Sequence, residues 1–303
     1  MLTFLRLGYK GNLGNHLFQI ASIIGLAKTH NKKFCFPEWK YSEYFEYKFP
    51  EIDKSIEYET VNEKFFNFHE WDLGDGNYNI NGWLQSEKYF DVKKVKEVFK
   101  FKSEFRENTL NRYKNIFNKK TIFVSVRRGD FVHNPNYFQL SFQYYILALV
   151  NNFPDLKERT IVFASDDIEY CKFHYSFLNN VVFLENVPPM EQMVIGIHCD
   201  DYVISNSTFS WWIAWLGETQ NKRVYRPIKN LSGEFGRVNN DRDYFPERWI
   251  AFDEKENSLP LKINYILFTL KGNLFAAYIY LVFNIKFYWK KFKKKVKKII
   301  EKQ

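Results

Sequence analysis

The sequence predicts an α/β protein: a parallel, doubly wound sheet in its second half, a smaller α/β unit before it, and a basic helical tail. Three observations carry this. Short apolar runs alternate with helix-length stretches, the sign of strands covered on both faces. Two of those runs end in polar loops, one of which opens directly into a helix. The net positive charge sits entirely in the carboxyl-terminal segment.

In order along the chain, Leu2–Leu7 reads as a strand, Leu13–Thr29 as a helix and Lys33–Phe36 as a second strand. An irregular aromatic stretch follows, then a helix near Glu87–Phe99. The Lys/Asn-rich segment Asn108–Lys120 is the best boundary, which divides the chain into residues 1–118, 119–255 and a tail, 256–303. Beyond it, strands near 121–126, 160–165, 181–184, 202–205 and 222–226 alternate with helices near 141–152, 167–178, 189–198 and 209–218. Five such strands make a parallel sheet, whose ligands bind beyond the carboxyl ends of the strands. Arg127, Asp166 and Ser207 all fall at such ends.

The segment Tyr202–Ile204, Ser205-Asn206-Ser207-Thr208, then an aromatic helix is the most informative in the chain. A strand that enters a helix through small hydroxyl residues leaves backbone N–H groups and a positive helix end for an anion, usually a phosphate. Capping by Ser207 or Thr208 is the alternative. A second loop, Arg127-Arg128-Gly129-Asp130, follows the apolar strand 121–126. Arginine offers a planar fork suited to diphosphate oxygens. Neighbouring side chains on a strand point to opposite faces, so Arg127 and Arg128 do not both face one ligand while the strand persists. One of them can reach phosphate while the other pairs with Asp130; a purely structural Arg–Asp bridge at the strand end is the alternative.

With these residues in view, the chain resembles the α-1,2-fucosyltransferases (glycosyltransferase family 11, bacterial type) and their α-1,6 relatives. Arg127-Arg128-Gly129-Asp130 is similar to the family's His-x-Arg-Arg-x-Asp, and Ser205–Trp212 to its Asn-Ser-Ser/Thr-Phe/Tyr-Ser-Trp-Trp. Ser165-Asp166-Asp167 matches a Ser-Asp-Asp block. Gly11-Asn12-Leu13-Gly14-Asn15-His16-Leu17-Phe18-Gln19 resembles Gly-Gly-Leu-Gly-Asn-Gln-Met/Leu-Phe-Gln, and Gly82–Gln85 through Tyr89-Phe90 a further stretch. The departures are Ser125 for the family's histidine, Asn12 for its second glycine and His16 for its glutamine.

The resemblance implies two Rossmann-like domains of the glycosyltransferase B type. It also implies metal-independent, inverting transfer of L-fucose from GDP-fucose to the 2-hydroxyl of a terminal galactose. No metal or other cofactor is expected. Arg127, Arg128 and Asp130 are then the candidate catalytic groups, with one arginine on the β-phosphate. Ser205, Asn206, Ser207, Thr208 and Ser210 bind donor, with Gly11, Asn12, Gly14 and Asn15 opposite. Asp166 and Asp167 hold ribose or guanine, or cap the next helix. His16 and His133 belong to the acceptor or donor-sugar side, and the general base stays open among Asp130, His133 and His16.

Composition limits the rest. Aromatics form 20% of the chain, enough for both a core and sugar platforms. Cys35, Cys171 and Cys199 have no metal or disulfide spacing, which points to a reducing compartment. No signal peptide or leading membrane helix precedes Leu2, whereas eukaryotic members of the family carry an amino-terminal anchor, so the resemblance implies a bacterial cytoplasmic enzyme. Residues 256–303 hold eleven lysines against Glu256 and Glu301, which equals the whole +9; the remaining 255 residues balance at 33 basic and 33 acidic groups. A nucleic-acid-binding body is thereby disfavoured. In the tail, apolar Leu274–Trp289 is shorter than the roughly 20 residues of a membrane span. From Ile285 onward, aromatic and aliphatic residues recur at helical spacing among lysines, so 274–302 reads as a helix lying on the anionic inner membrane surface. A helix docked on the body is the alternative. Lipid-linked oligosaccharides for surface polysaccharide would then be accessible acceptors.

Four rival readings are weighed on the same residues. Asp241-Arg242-Asp243 is the one Asp-x-Asp match to a metal-dependent transferase. Ser125 and the altered glycine loop leave room for a non-catalytic GDP- or glycan-binding module, and another GDP-deoxysugar such as GDP-colitose for a different donor. A dinucleotide oxidoreductase is excluded because Gly8, Gly11 and Gly14 are spaced GxxGxxG rather than GxGxxG.

Overall fold

The computed structural model describes the backbone of residues 1–300 and the side chains of residues 1–293. Two parallel sheets organise the chain. The smaller contains β1 (Leu2–Thr3), β2 (Glu59–Asn62) and β3 (Tyr78–Asn81) in the order β1-β3-β2, flanked by α1 (Leu13–Thr29), α2 (Val92–Val98) and α3 (Ser103–Arg112). The larger contains β4 (Thr121–Val126), β5 (Thr160–Ser165), β6 (Val181–Phe183), β7 (Asp201–Ile204), β8 (Val224–Pro227) and β9 (Ile250–Phe252). Its order is β6-β5-β4-β7-β8-β9, all parallel. Between these strands run α4 (Phe142–Asn152), α5 (Ile168–Tyr175), α6 (Pro189–Ile197), α7 (Thr208–Gly217) and α8 (Gly233–Val238), followed by α9 (Leu259–Asn264) and α10 (Ile266–Ile300).

That strand order matters for function. From β4 the chain winds outward one way to β5 and β6, then returns to β7 beside β4 and winds the other way. The loops after β4 and β7 therefore diverge and leave a crevice between them, where ligands bind in open parallel sheets. Each central strand is buried on both faces. Phe123 points toward one apolar cluster, while Ile122 and Val124 point toward another with α4 and α5. The first cluster runs without a break from this sheet through Trp211, Trp212 and Trp215 to Leu17, Phe18 and Ile20 of α1. Phe18 sits 4.5 Å from Trp211 and 5.2 Å from Trp212, so α1 and α7 are locked together by aromatic packing.

Several expectations need correction. The strand at Leu2–Leu7 is only Leu2–Thr3, because the chain turns at once through Gly8 (φ +86°). Lys33–Phe36 contributes isolated bridges, Leu2 with Phe34 and Phe36 with Glu51, rather than a strand. Within Asn108–Lys120, α3 occupies the start, and Thr109 and Ile116 are buried. The larger sheet has six strands, since β9 adds to the β8 edge.

The tail also differs. The apolar stretch is not confined to Leu274–Trp289: Ile266–Lys293 forms 28 helical residues, long and apolar enough by length and composition to cross a membrane, with 6% of the apolar window buried. Lys271 does not interrupt it, because its ammonium donates to the Phe173 carbonyl at 3.2 Å and lies over the Phe173 ring. The side chains of 294–303, which carry much of the expected basic face, lie outside the described residues.

Candidate active site

A cleft of about 850 Å³ opens between the two sheets at the carboxyl ends of β4, β5 and β7. On one wall, β4 runs into Arg127, whose guanidinium pairs with Asp130 and, at 3.0 Å, with Asp166. Asp166 also accepts the backbone N–H of Arg128 at 2.8 Å. One carboxylate thus fixes both the backbone and the charged end of this loop, so Arg127 is presented in a set orientation. The guanidinium also lies 5.4 Å from the Phe131 ring centre, and Phe131 stacks on Tyr137 at 3.9 Å.

Beside it, β7 turns through Ser205–Ser207 into α7. Ser207 is the N-cap, its hydroxyl oxygen accepting from Phe209 N at 3.2 Å. The capping reading of this hydroxyl is therefore realised, while the remaining first-turn amides face the cleft end of the helix. Asn206 braces the turn: its amide donates to the carbonyls of Asn230 (2.9 Å) and Phe138 (3.1 Å), and its own carbonyl accepts the Tyr244 hydroxyl. Ser125, Ser210 and Ser205 form a buried hydroxyl chain, with 2.6 and 2.9 Å between neighbours. Ser125, standing where the resemblance has histidine, ties β4 to α7 from below.

The opposite wall is the glycine loop and the start of α1. Gly11 has φ +83°, a conformation L side chains rarely adopt. Gly14 is where α1 meets α7: a Cβ there would lie 2.5 Å from Phe209 N and from the Thr208 carbonyl carbon. Only glycine lets the two helix N-termini converge on one cleft. Asn12 caps α1 through its extended backbone without a side-chain bond, and Asn15 Oδ1 accepts from Gln85 Nε2 at 2.7 Å, which leaves its amide N–H groups for the cleft.

His16 is fully engaged elsewhere. Its Nε2 meets the Gly11 carbonyl at 3.1 Å and its Nδ1 accepts from the Trp39 indole at 3.3 Å. Only the Nε2–H tautomer satisfies both, and burial lowers its pKa. His16 therefore holds the glycine loop in place, and both ring nitrogens are occupied.

Of the residues expected at the site, Gly11, Asn12, Gly14, Asn15, His16, Arg127, Asp130, Asp166, Asn206, Ser207, Thr208 and Ser210 line this cleft. Four expected residues do not. Ser205 is buried in the hydroxyl chain. Asp167 caps α5, accepting from Tyr170 N at 3.2 Å. Arg128 turns to the other side of the loop, its guanidinium 3.8 Å from the Tyr170 ring centre, and so does not pair with Arg127 around one ligand. His133, at φ +61°, packs on Phe283 of α10 at 4.4 Å. Burial, then Arg128, lowers its pKa.

The sequence reading missed Lys40, Tyr41, Tyr137, Phe235 and Asn239, which also line the cleft. Trp83 and Gln85 line it too and sat in a stretch already singled out by resemblance; Lys40 carried no local signal. The Asp-x-Asp alternative loses its basis here. Asp241 accepts from the N–H groups of Asn230 and Leu231 at 2.8 Å, and Asp243 pairs with Lys88 at 2.5 Å. Both carboxylates are committed to holding loops.

Residues 39–253 match the family model for glycosyl transferase family 11. The chain belongs to that family. It is 29% identical over 153 residues to the O-antigen biosynthesis glycosyltransferase WbnK of Escherichia coli, which covers 47% of this chain and 49% of that protein. It is 29% identical over 194 residues to an alpha-1,2-colitosyltransferase of the same species, covering 59% and 64%. A galactoside 2-alpha-L-fucosyltransferase of Caenorhabditis elegans is 24% identical over 294 residues, covering 82% and 78%. The chain thus spans about half of the first of these relatives and somewhat under two thirds of the second.

Proposed function

We propose that this family 11 protein transfers L-fucose from GDP-fucose to the 2-hydroxyl of a galactoside, with inversion and without a metal. The observation that carries the proposal is Arg127, fixed by Asp130 and Asp166 at the β4/β7 crevice beside the amino end of α7. In glycosyl transfer from a nucleoside diphosphate, negative charge grows on the leaving diphosphate as the sugar gains oxocarbenium character. A preorganised guanidinium and helix amides stabilise that charge more in the transition state than in the ground state. The start of α1 and Asn15 meet the sugar from the other wall. Of the three candidate bases, His16 has both nitrogens occupied and His133 lies outside the cleft; Asp130 lines it with a 62% exposed side chain. Asp130 is assigned the acceptor proton on that ground.

The relative named alpha-1,2-colitosyltransferase supports one second reading, GDP-colitose as donor. Sugar-dependent GDP release, measured in EDTA with β-galactosides and each of GDP-fucose, GDP-colitose, GDP-mannose and a UDP-sugar, separates the two. Arg127→Ala should abolish the release. Turnover of the UDP-sugar alone, or turnover that returns only with added Mn²⁺, overturns both.

Membrane association through the tail is part of the same reading, on the inner face of a bacterial cell membrane. Leu267, Leu274, Tyr278, Leu281, Tyr288 and Trp289 are each more than half exposed. Meanwhile Phe268, Phe275 and Phe283 rest on Phe142, Phe173 and His133 of the body. The helix is held along the body to about Phe283, and the residues from 284 to 303 are too lysine-rich for a span of roughly 20 apolar residues. This favours a helix lying in the interface with its exposed side in lipid.

A further inference from the structure

Arg128 faces a second cavity of about 630 Å³, on the far side of its loop from the donor cleft. The loop Arg128–His133, the start of α4, one side of α5, the segment after β9 and one flank of α10 enclose it. Among the described residues, two nitrogens of its lining are buried without a hydrogen-bond partner: Nε of Arg128, with Asp167 3.6 Å away, and Nε2 of His174. His174 is 3% exposed and stacks on Phe142 at 4.9 Å. Lys255 and Lys262 add two exposed cations. The opposing charge in the lining is Glu254, which accepts from Ser141 at 2.5 Å and whose pKa burial raises. Positive groups therefore outnumber negative ones.

The remaining wall is apolar. Phe275, Ala276 and Ile279 of α10 close the cavity, and the same helix continues outward with exposed Leu274, Tyr278 and Leu281. A cationic recess with two unpartnered nitrogens, one of them the Arg128 Nε–H donor, opening along an exposed apolar helix, matches a ligand with an anionic head and a long apolar chain. Neither half of the site suits a free nucleotide, which has no such chain.

We propose that this cavity binds the phosphate head of a membrane lipid whose chain lies along α10. Its role as the carrier end of a lipid-linked glycan acceptor rests on the transferase reading above; the binding itself does not. The two arginines then serve two ligands from one loop, Arg127 the donor diphosphate and Arg128 the carrier phosphate. The glycan would cross the loop between them to reach Asp130.

The test is calorimetric titration of the full chain in neutral detergent, at saturating GDP, with farnesyl diphosphate, inorganic pyrophosphate and farnesol in turn. Farnesyl diphosphate is expected to bind at least about tenfold more tightly than either of the others. A Lys255→Gln/Lys262→Gln variant should weaken it at least about fivefold while GDP affinity stays unchanged. Equal affinity for pyrophosphate means a free-anion site, equal affinity for farnesol means an apolar groove, and indifference to the two lysines places the lipid elsewhere; each overturns the proposal. Failure of GDP alone to bind, with the lipid arm intact, sinks the donor-cleft reading and leaves this one standing.

Discussion

Replacing Gly14 with alanine puts one methyl group at the contact between α1 and α7. The new Cβ would sit 2.5 Å from Phe209 N and from the Thr208 carbonyl carbon, and 2.6 Å from Thr208 Oγ1. Ordinary contact begins near 3.4 Å, so the two backbones must part by about 0.5 to 0.9 Å. They cannot slide freely, because Phe18 is wedged against Trp211 and Trp212. Overpacking of this kind costs about 1–3 kcal/mol. In an unconstrained helix the same change would instead stabilise by about 1 kcal/mol, so the sign is diagnostic. The displacement also moves the start of α1, with Asn12 and Asn15, away from Arg127. Misplacement near 1 Å lowers turnover by up to about 100-fold, so kcat/KM should fall roughly 10- to 100-fold. Thermal melts and donor-saturation kinetics on the same preparation test both halves. A Gly14→Ala protein that melts higher and turns over normally would refute the claim that this glycine joins the two walls.

The two arginines should separate in their effects. Arg127→Lys is expected to lower turnover of a soluble galactoside by about 100-fold or more through loss of the fixed fork, whereas Arg128→Lys should leave GDP affinity, read by titration, within about threefold. His16→Gln should keep turnover within about fivefold and leave the acidic limb of its pH profile in place; disappearance of that limb would make His16 a titrating participant after all. His174 gives a pH effect on stability. Burial, with Arg128 and Lys271 nearby, holds its pKa at about 4, against roughly 6.5 in an unfolded chain. The folded state thus resists protonation, and stability is full above pH 6.5 and declines as pH falls toward 4. His174→Phe, which keeps the stack on Phe142, should flatten that decline in melts run across the range. For the tail, flotation with anionic vesicles should be lost in about 1 M salt if α10 lies on the surface; salt-resistant, alkali-resistant association would mean that it crosses.

Local signals in the sequence delimit some elements closely and miss others for identifiable reasons. The helix Leu13–Thr29 is legible to the residue, because its apolar run is long and ends in a polar cluster. The strands β4, β5 and β7 are legible as buried β-branched runs. By contrast, β2 (Glu-Thr-Val-Asn) and β3 (Tyr-Asn-Ile-Asn) carry polar residues along a small sheet and look like loops. The helix α3 has a low apolar content and becomes a helix through packing of Thr109 and its neighbours against the body. Within the site, the motif residues on the β4, β7 and α1 loops are visible in the sequence, but their division of labour is not. Asp166 reads as a ribose or guanine ligand or a helix cap; its pairing with Arg127 is not legible, because it joins residues 39 positions apart.

What the sequence determined by itself is the order of strands, polar loops and helices, and the placing of arginine and small hydroxyl residues at the ends of β4 and β7. Local spacing encodes these, since a strand's period and a helix's cap are properties of a few neighbouring residues. Tertiary structure alone decided the winding order that sets β7 beside β4 and the convergence of α1 on α7 at Gly14. It also decided the turning of Arg128 away from Arg127 toward α10. Those outcomes depend on which distant surfaces bury one another, and burial is a property of the assembled chain rather than of any segment of it.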